Sequence, residues 1–97
     1  MVETSAVPRK NPASSSRTID GQAVIAVADQ GRIHILNDVG TRVWNLIDGR
    51  RTFEEIVAQV GGQLAEAGYE DLPGDLSADI EAFLEEIASK DMITMER

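Results

Sequence analysis

The period of the hydrophobic pattern changes once along this chain. From residue 16 to residue 36 apolar and polar residues alternate with the period of two that is typical of strands. This part predicts three short strands, at Arg17–Ile19, Gln22–Ala28 and Arg32–Leu36. Asp20-Gly21 predicts a type I′ hairpin turn, which needs positive φ at both central positions. The short loops therefore predict an antiparallel meander with the second strand in the centre.

The expected burial differs between these strands. Gln22–Ala28 is apolar on both faces, as in a central strand that is covered on both sides. In the third strand Ile33 and Ile35 share one face, while Arg32 and His34 share the other. We expect His34 to face solvent.

Beyond residue 36 the spacing predicts three amphipathic helices. Asn37 is placed to cap the first helix and Asp48-Gly49 to end it. Thr52-x-x-Glu55 is a capping box for the second helix, in which Gly61-Gly62 should cost about 1 kcal/mol per glycine. We expect the third helix to begin near Pro73 and Asp75. The predicted buried positions are Val39, Val43, Trp44, Ile47, Phe53, Ile56, Val57, Val60, Leu64, Leu76, Ile80, Phe83, Leu84 and Ile87.

The two ends of the chain have weaker patterns. Residues 1–15 contain two prolines and three serines without a regular period, which predicts a flexible arm before a single domain at residues 16–97. Met92–Met95 is apolar and short, so we expect a last strand or a tail packed on the core. The predicted class is α+β: a winged helix-turn-helix, with a three-stranded antiparallel sheet followed by a three-helix bundle.

Charge is distributed unevenly. Of the 97 residues, positions 1–51 hold seven Lys/Arg and five Asp/Glu, which gives +2, and positions 52–97 hold two and twelve, which gives −10. The sum is −8. We expect no nucleic-acid binding, since the third helix of a winged fold would need basic residues in the major groove, whereas here it is acidic. No apolar run has the length of a membrane span, so we expect no membrane association.

The sequence lacks the residues of a catalytic or metal site. It has no cysteine and one histidine, His34, and no acidic loop with calcium-ligand spacing. Glycine-rich phosphate loops are absent as well. We therefore predict a cytoplasmic protein that is not an enzyme and needs no cofactor.

The third strand is the remaining candidate for a binding site, because it should lie at an open edge of the sheet. An unpaired edge can accept another strand, either from a peptide or from a second copy of the chain. Alternatively, Met92–Met95 could cover it. The residues alone favour peptide binding and self-pairing equally.

Two sequence blocks carry a resemblance. Leu36–Gly49 has the pattern LNxxGxxxWxLIDG and is followed by TxxEI at Thr52–Ile56. DxxxFLxxI follows at Asp79–Ile87, and then Met92-Ile93. From about residue 16 to residue 94 the chain resembles the PqqD family, named for protein D of pyrroloquinoline quinone biosynthesis.

The resemblance implies three strands plus a three-helix winged bundle, and a recognition element for ribosomally made, modified peptides. Such an adaptor binds the leader of a precursor peptide as an extra strand and presents it to a modifying enzyme, often a radical S-adenosylmethionine enzyme. It has no catalytic activity of its own. The rival interpretation is a structural or regulatory winged-helix module that self-associates, so either a monomer or a homodimer is compatible. The residues implied at the peptide site are Arg32, Ile33, His34, Ile35, Leu36, Asp79, Phe83, Glu86 and Ile87.

Overall fold

Five strands and three helices form in the part of the chain that the computed structural model describes, residues 4–28, 31–68 and 76–96. The strands form two separate antiparallel sheets. The elements are β1 (Val7–Lys10), β2 (Ser14–Ile19), β3 (Gln22–Val27), β4 (Ile33–Ile35), α1 (Asp38–Leu46), α2 (Phe53–Glu66), α3 (Leu76–Ser89) and β5 (Ile93–Glu96).

The larger sheet has the order β2-β3-β4, as the meander predicts. Val24 lies opposite Arg17 on one side and Ile35 on the other. Asp20 and Gly21 have φ values of 51° and 79°, which confirms a turn with two left-handed residues. This sheet is followed by α1, α2 and α3, so the predicted α+β class and winged-helix architecture are confirmed.

Only one face of this sheet packs on the helices. Ala23, Ile25 and Val27 of β3 are buried, whereas Val24 and Ala26 are half-buried on the outer face. The prediction that β3 is covered on both sides was therefore wrong. Within the described chain all three helices follow the sheet in sequence, and α1 packs against β3 from the inner side.

The N-terminal ends of α1 and α2 agree with the predicted caps. Asn37 Oδ1 accepts from Gly40 N–H at 2.7 Å, and Thr52 with Glu55 forms the full capping box of α2. The predicted end of α1 at Asp48-Gly49 was wrong, because α1 ends at Leu46 with extended Ile47 as its C-cap. Gly49, with φ of 76°, lies in the turn that follows. Gly61-Gly62 does not interrupt α2, because buried Val60 and Leu64 on either side hold it to the core. Pro73 and Asp75, expected at the start of α3, lie outside the described residues.

The core lies between the inner sheet face and the three described helices. The buried apolar cluster contains Ala23, Ile25, Val27, Leu36, Val43, Trp44, Leu46, Ile47, Phe53, Ile56, Val60, Leu64, Ile80, Leu84, Ile87, Met92 and Ile93. Val57, Leu76 and Phe83 pack against it while partly exposed. Burying these side chains supplies the main favourable free energy of folding, at roughly 25 cal/mol per Å² of apolar surface.

The N-terminal segment differs from the predicted flexible arm. Val7–Lys10 forms β1 and pairs antiparallel with β5, with Val7 opposite Glu96 and Lys10 opposite Ile93. β2 likewise begins at Ser14, inside the segment assigned to the arm. The pairing residues are far apart in sequence, so no local pattern in residues 1–15 reveals them. Pro8 and Ala6 are buried by this arrangement.

Candidate functional site

The outer side of β4 is an open sheet edge. β4 is the last strand of its sheet, and no described strand pairs with its outer side. Met92–Met95, which could have covered this edge, instead contributes to β5 and pairs with β1. The alternative in which the chain's own tail covers β4 is therefore wrong.

The backbone groups on this edge can be assigned from the ladder. Leu36 N–H donates to Ala23 O at 2.9 Å, so Leu36 directs its backbone toward β3. In an antiparallel ladder, residues that bond to the neighbour alternate with residues that point away. His34 therefore shares the direction of Leu36, and the N–H and C=O groups of Ile33 and Ile35 point to the open side.

The two faces of β4 are reversed relative to our expectation. Ile33 and Ile35 are 69% and 65% exposed on the outer face, so neither is a core residue. His34 lies on the inner face and is half-buried, and Leu36 is buried. The prediction that His34 faces solvent was wrong, because the helices cover the face that His34 shares with Leu36.

A groove separates β4 from α3. Its volume is about 380 Å³. Seven of the nine predicted site residues line it, namely Ile33, His34, Ile35, Leu36, Phe83, Glu86 and Ile87. Ile87 is a core residue that forms the floor, and Phe83 is half-buried in the wall. We call this cleft the β4–α3 groove.

The other two predicted residues lie at opposite ends of the groove. Arg32 lines a depression of about 300 Å³ with His34, Ser89 and Lys90. Asp79 lines a separate cavity of about 250 Å³, which Phe83 and Asn37 share with the groove. β4 and α3 consequently run in opposite directions, with Arg32 near the end of α3 and Leu36 near Phe83.

Three residues of the groove lining were not predicted: Asn37, Lys90 and Met92. Lys90 lies four residues after Glu86, and its ammonium group donates to the Glu86 carboxylate at 3.0 Å. That helical spacing was a usable signal for Lys90. Met92 follows the end of α3 and is fully buried, which depends on the chain turning back toward β1.

A second depression, of about 320 Å³, lies on the outer face of the sheet. It is lined by Ser15, Ser16, Arg17, Ile19, Val24, Ala26 and Ile33. Ile19 is 54% exposed there, so this face is apolar and open to solvent. It adjoins β4 from the side opposite to the groove.

The polar groups at the site allow hydrogen bonding and ion pairing. The Nε2 atom of His34 is buried and has no hydrogen-bond partner among the described residues.

The described residues contain no group of three or more histidines, aspartates or glutamates arranged for a metal ion. None of the described helices has the length and apolar character to span a membrane.

Comparisons with known proteins address the same region. Residues 22–93 match the family model described as "Coenzyme PQQ synthesis protein D (PqqD)". A solved structure described as "TbiB1 in Complex with the TbiA(beta) Leader Peptide" is similar, with a TM-score of 0.73 and 26% sequence identity. The match covers 88% of this chain and 93% of that chain. Comparison with the curated proteins finds no match. The region matched by the family model contains β3, β4 and the described helices, hence both walls of the groove.

Proposed function

The chain belongs to the PqqD family, and we propose that it is a peptide-binding adaptor for a ribosomally made precursor. It captures the leader segment of that precursor by strand addition on β4 and carries out no chemistry itself. A modifying enzyme, of the radical S-adenosylmethionine type or another, then acts on the precursor that the adaptor presents. We place the complex in the cytoplasm.

One observation carries this proposal: the edge of β4 is open directly beside the β4–α3 groove. Strand addition needs backbone groups that point outward and pockets for alternate side chains. Ile33 and Ile35 offer the backbone groups, and the groove between His34, Leu36, Phe83 and Ile87 offers the pocket. The similarity to TbiB1, which was solved in complex with a leader peptide, supports a leader segment as the occupant.

The bound segment would extend the sheet to four strands. Its alternate side chains would enter the groove, and the others would lie beside Ile33 and Ile35 on the outer face. The apolar outer face would then continue across the bound peptide. This continuity supports a modifying enzyme that contacts the adaptor and the leader together.

The test is an amide-shift titration of the labelled protein with candidate leader peptides. We expect shifts confined to residues 32–36 and 79–87. Ile35→Pro removes one outward N–H, and proline is tolerated at an edge strand whose N–H faces solvent. We expect it to weaken binding roughly tenfold through the lost hydrogen bond and its altered edge geometry.

Ile35→Ala is the matched control, because it shortens the side chain and keeps the backbone donor. It should bind more tightly than Ile35→Pro, with both variants unfolding cooperatively. Binding that shifts other residues, or that Ile35→Pro leaves unchanged, would contradict strand addition.

The rival function, self-association through the same edge, is favoured by the exposed Ile19, Ile33 and Ile35. It predicts shifts at residues 32–36 that depend on protein concentration in the absence of any peptide. Sedimentation at several concentrations distinguishes a monomer from a homodimer.

A further inference from the structure

The β4–α3 groove differs in charge between its two ends. At the end of α3, Arg32 and Lys90 line one depression together with His34. At the opposite end, Asp79 lines the cavity that adjoins Asn37 and Phe83. We call Arg32, His34 and Lys90 the basic end of the groove.

This basic end is unusual in a chain with a net charge of −8. Among the described residues, Arg32 is exposed and has no carboxylate as an ion-pair partner. Lys90 is held by Glu86 at 3.0 Å on the same helix, a pair that is exposed and therefore contributes little. An incoming carboxylate would meet one guanidinium and one shared ammonium group.

His34 adds a second observation at the same place. Its side chain lines both the groove and the basic end, and its Nε2 atom is buried without a partner among the described residues. A buried polar atom without a hydrogen bond carries a desolvation penalty. Once the imidazole turns toward the groove, a polar side chain that enters next to His34 can offer the missing partner, whereas an apolar side chain cannot.

The backbone directions place such a side chain. In an added strand, the side chains that enter the groove lie on the face of the sheet that His34 and Leu36 share. The peptide side chain that enters beside Leu36 contacts Phe83 and Ile87, which form an apolar pocket. The peptide side chain that enters beside His34 lies at the basic end of the groove.

We infer that the groove selects leader segments in which an acidic side chain enters beside His34, one inward-facing position away from an apolar side chain beside Leu36. This inference rests on the proposed function and adds the class of peptide that the site takes. Arginine and histidine can both donate to a carboxylate, and such charge-assisted hydrogen bonds are stronger than neutral ones. Overall charge would favour basic peptides, so a preference for an acidic residue can arise only from this local cluster.

The experiment uses a display library of short randomised peptides against the full chain. Selected peptides should show Asp or Glu about three- to fivefold above the library frequency at one position, two residues from an apolar one. With Arg32→Glu this enrichment should disappear and Lys or Arg should replace it. Arg17→Glu is the matched control, because it makes the same charge change on the outer face of the sheet, away from the groove. It should keep the acidic preference.

The outcomes separate the two proposals. Peptides that shift the amides of residues 32–36 without an acidic preference would overturn the inference and leave the adaptor function standing. The same holds if Arg32→Glu selects the same residues as the unaltered chain. If selection yields no peptide that shifts these amides, the adaptor function fails and the inference fails with it.

Discussion

Thr41 shows how one side chain determines where β4 ends. Ala23 N–H donates to Thr41 Oγ1 at 2.9 Å, and the hydroxyl donates to Leu36 O at 3.4 Å. Thr41 is 6% exposed and is the one buried polar residue in the described part of the chain. Its hydroxyl therefore joins α1 to the last pair of the β3–β4 ladder, next to the groove.

Replacing Thr41 by valine should be costly despite the similar shape. Thr41→Val leaves the Ala23 N–H and the Leu36 C=O without their shared partner, so we expect a loss of about 1–3 kcal/mol in the free energy of unfolding. Thr41→Ser, which keeps the hydroxyl, should lose less. Urea denaturation of the three proteins measures this. A larger loss for serine than for valine would show that the methyl group, not the hydroxyl, matters.

Asp48 makes stability depend on pH at the turn between α1 and α2. The backbone N–H groups of Arg51 and Arg50 donate to Oδ1 at 2.9 Å each, and they lower the pKa of Asp48 below its ordinary value of 3.8. The Arg51 guanidinium, 3.1 Å from Oδ2, acts in the same direction. A lowered pKa means that the charged form stabilises the fold above pH 3.8 and that this contribution is lost as the pH falls through the folded value.

At pH 7, Asp48→Asn should therefore unfold at a lower temperature than the unaltered chain. The variant lacks only the negative charge, since its amide oxygen still accepts both N–H groups. The difference between the two melting temperatures should shrink as the pH falls below about 3.8. A difference that stays constant down to pH 3 would mean that the carboxylate charge contributes nothing to this turn.

At the scale of the element, two glycines in helices have opposite surroundings. A Cβ on Gly40 of α1 would lie 3.1 Å from Asn37 Oδ1 and 3.3 Å from Phe83 Cε1. A Cβ on Gly62 of α2 would meet nothing within 4 Å. A Cβ on Gly40 would thus crowd the cap of α1 and the ring of Phe83 on α3, whereas a Cβ on Gly62 would crowd nothing.

Gly62→Ala should raise the free energy of unfolding by about 0.5–1 kcal/mol, the helix-propensity difference between alanine and glycine. Gly40→Ala gains the same propensity but crowds the Asn37 cap, whose oxygen is already held by the Gly40 N–H. We expect a net loss of about 1 kcal/mol and shifted Phe83 ring resonances. Thermal unfolding of both variants decides this, and equal gains would mean that Asn37 and Phe83 move aside freely.

The end of α3 is another element-scale feature beside the groove. Met92 N–H donates to Ile87 O and Asp91 N–H to Ala88 O, and Asp91 has φ of 60°. This is a Schellman motif, in which glycine is the usual left-handed residue. Aspartate tolerates that conformation better than most residues. The motif turns the chain so that buried Met92 closes the groove and β5 can reach β1.

At the scale of the whole molecule, the N-terminal segment holds the sheets and helices together. Phe53 N–H donates to Ala6 O at 2.7 Å and Glu54 N–H to Thr4 O at 3.1 Å, so residues 4–6 satisfy two free donors at the start of α2. The Lys10 ammonium lies 4.8 Å from the centre of the Trp44 ring. Burial lowers the pKa of Lys10, and the nearby charge of Asp48 opposes this.

Removing residues 1–12 should therefore destabilise the entire fold. The deletion takes away β1, leaves β5 unpaired and exposes the start of α2. We expect the melting temperature to fall by roughly 5–15 °C, which corresponds to a few kcal/mol for a domain of this size. Removing residues 1–3 alone is the matched control and should change it little. An unchanged melting temperature after the longer deletion would restore the flexible arm as the correct description.

Local features of the sequence were sufficient for β2, β3, β4 and the three helices, and for their order, but not for β1. The Asp20-Gly21 turn, the Asn37 cap and the Thr52-x-x-Glu55 box each involve residues within a few positions of one another. Their hydrogen bonds and φ values depend on chemistry that is visible in a short window. For the same reason the three strands and the helices appear where their periods predict them.

The orientation of β4 required information from outside the strand. A period of two shows that the two faces of the strand differ, but it does not show which face the helices cover. Leu36, which has the parity of His34 and precedes the cap of α1, was the available signal that this side is buried. The structure nevertheless leaves the edge of β4 open and places seven of the nine proposed site residues along one groove, because consecutive residues of an edge strand all border the cleft beside it.

The sequence by itself determined β2 to β4, the helices, the N-caps of α1 and α2 and the acidic composition, because these depend on neighbouring residues and on residue counts. Only the tertiary structure decided that β1 pairs with β5, that Ile33 and Ile35 face solvent, and that a basic end forms beside His34. Those features bring together residues from opposite ends of the chain, and their energies arise only after the helices have packed on one face of the sheet.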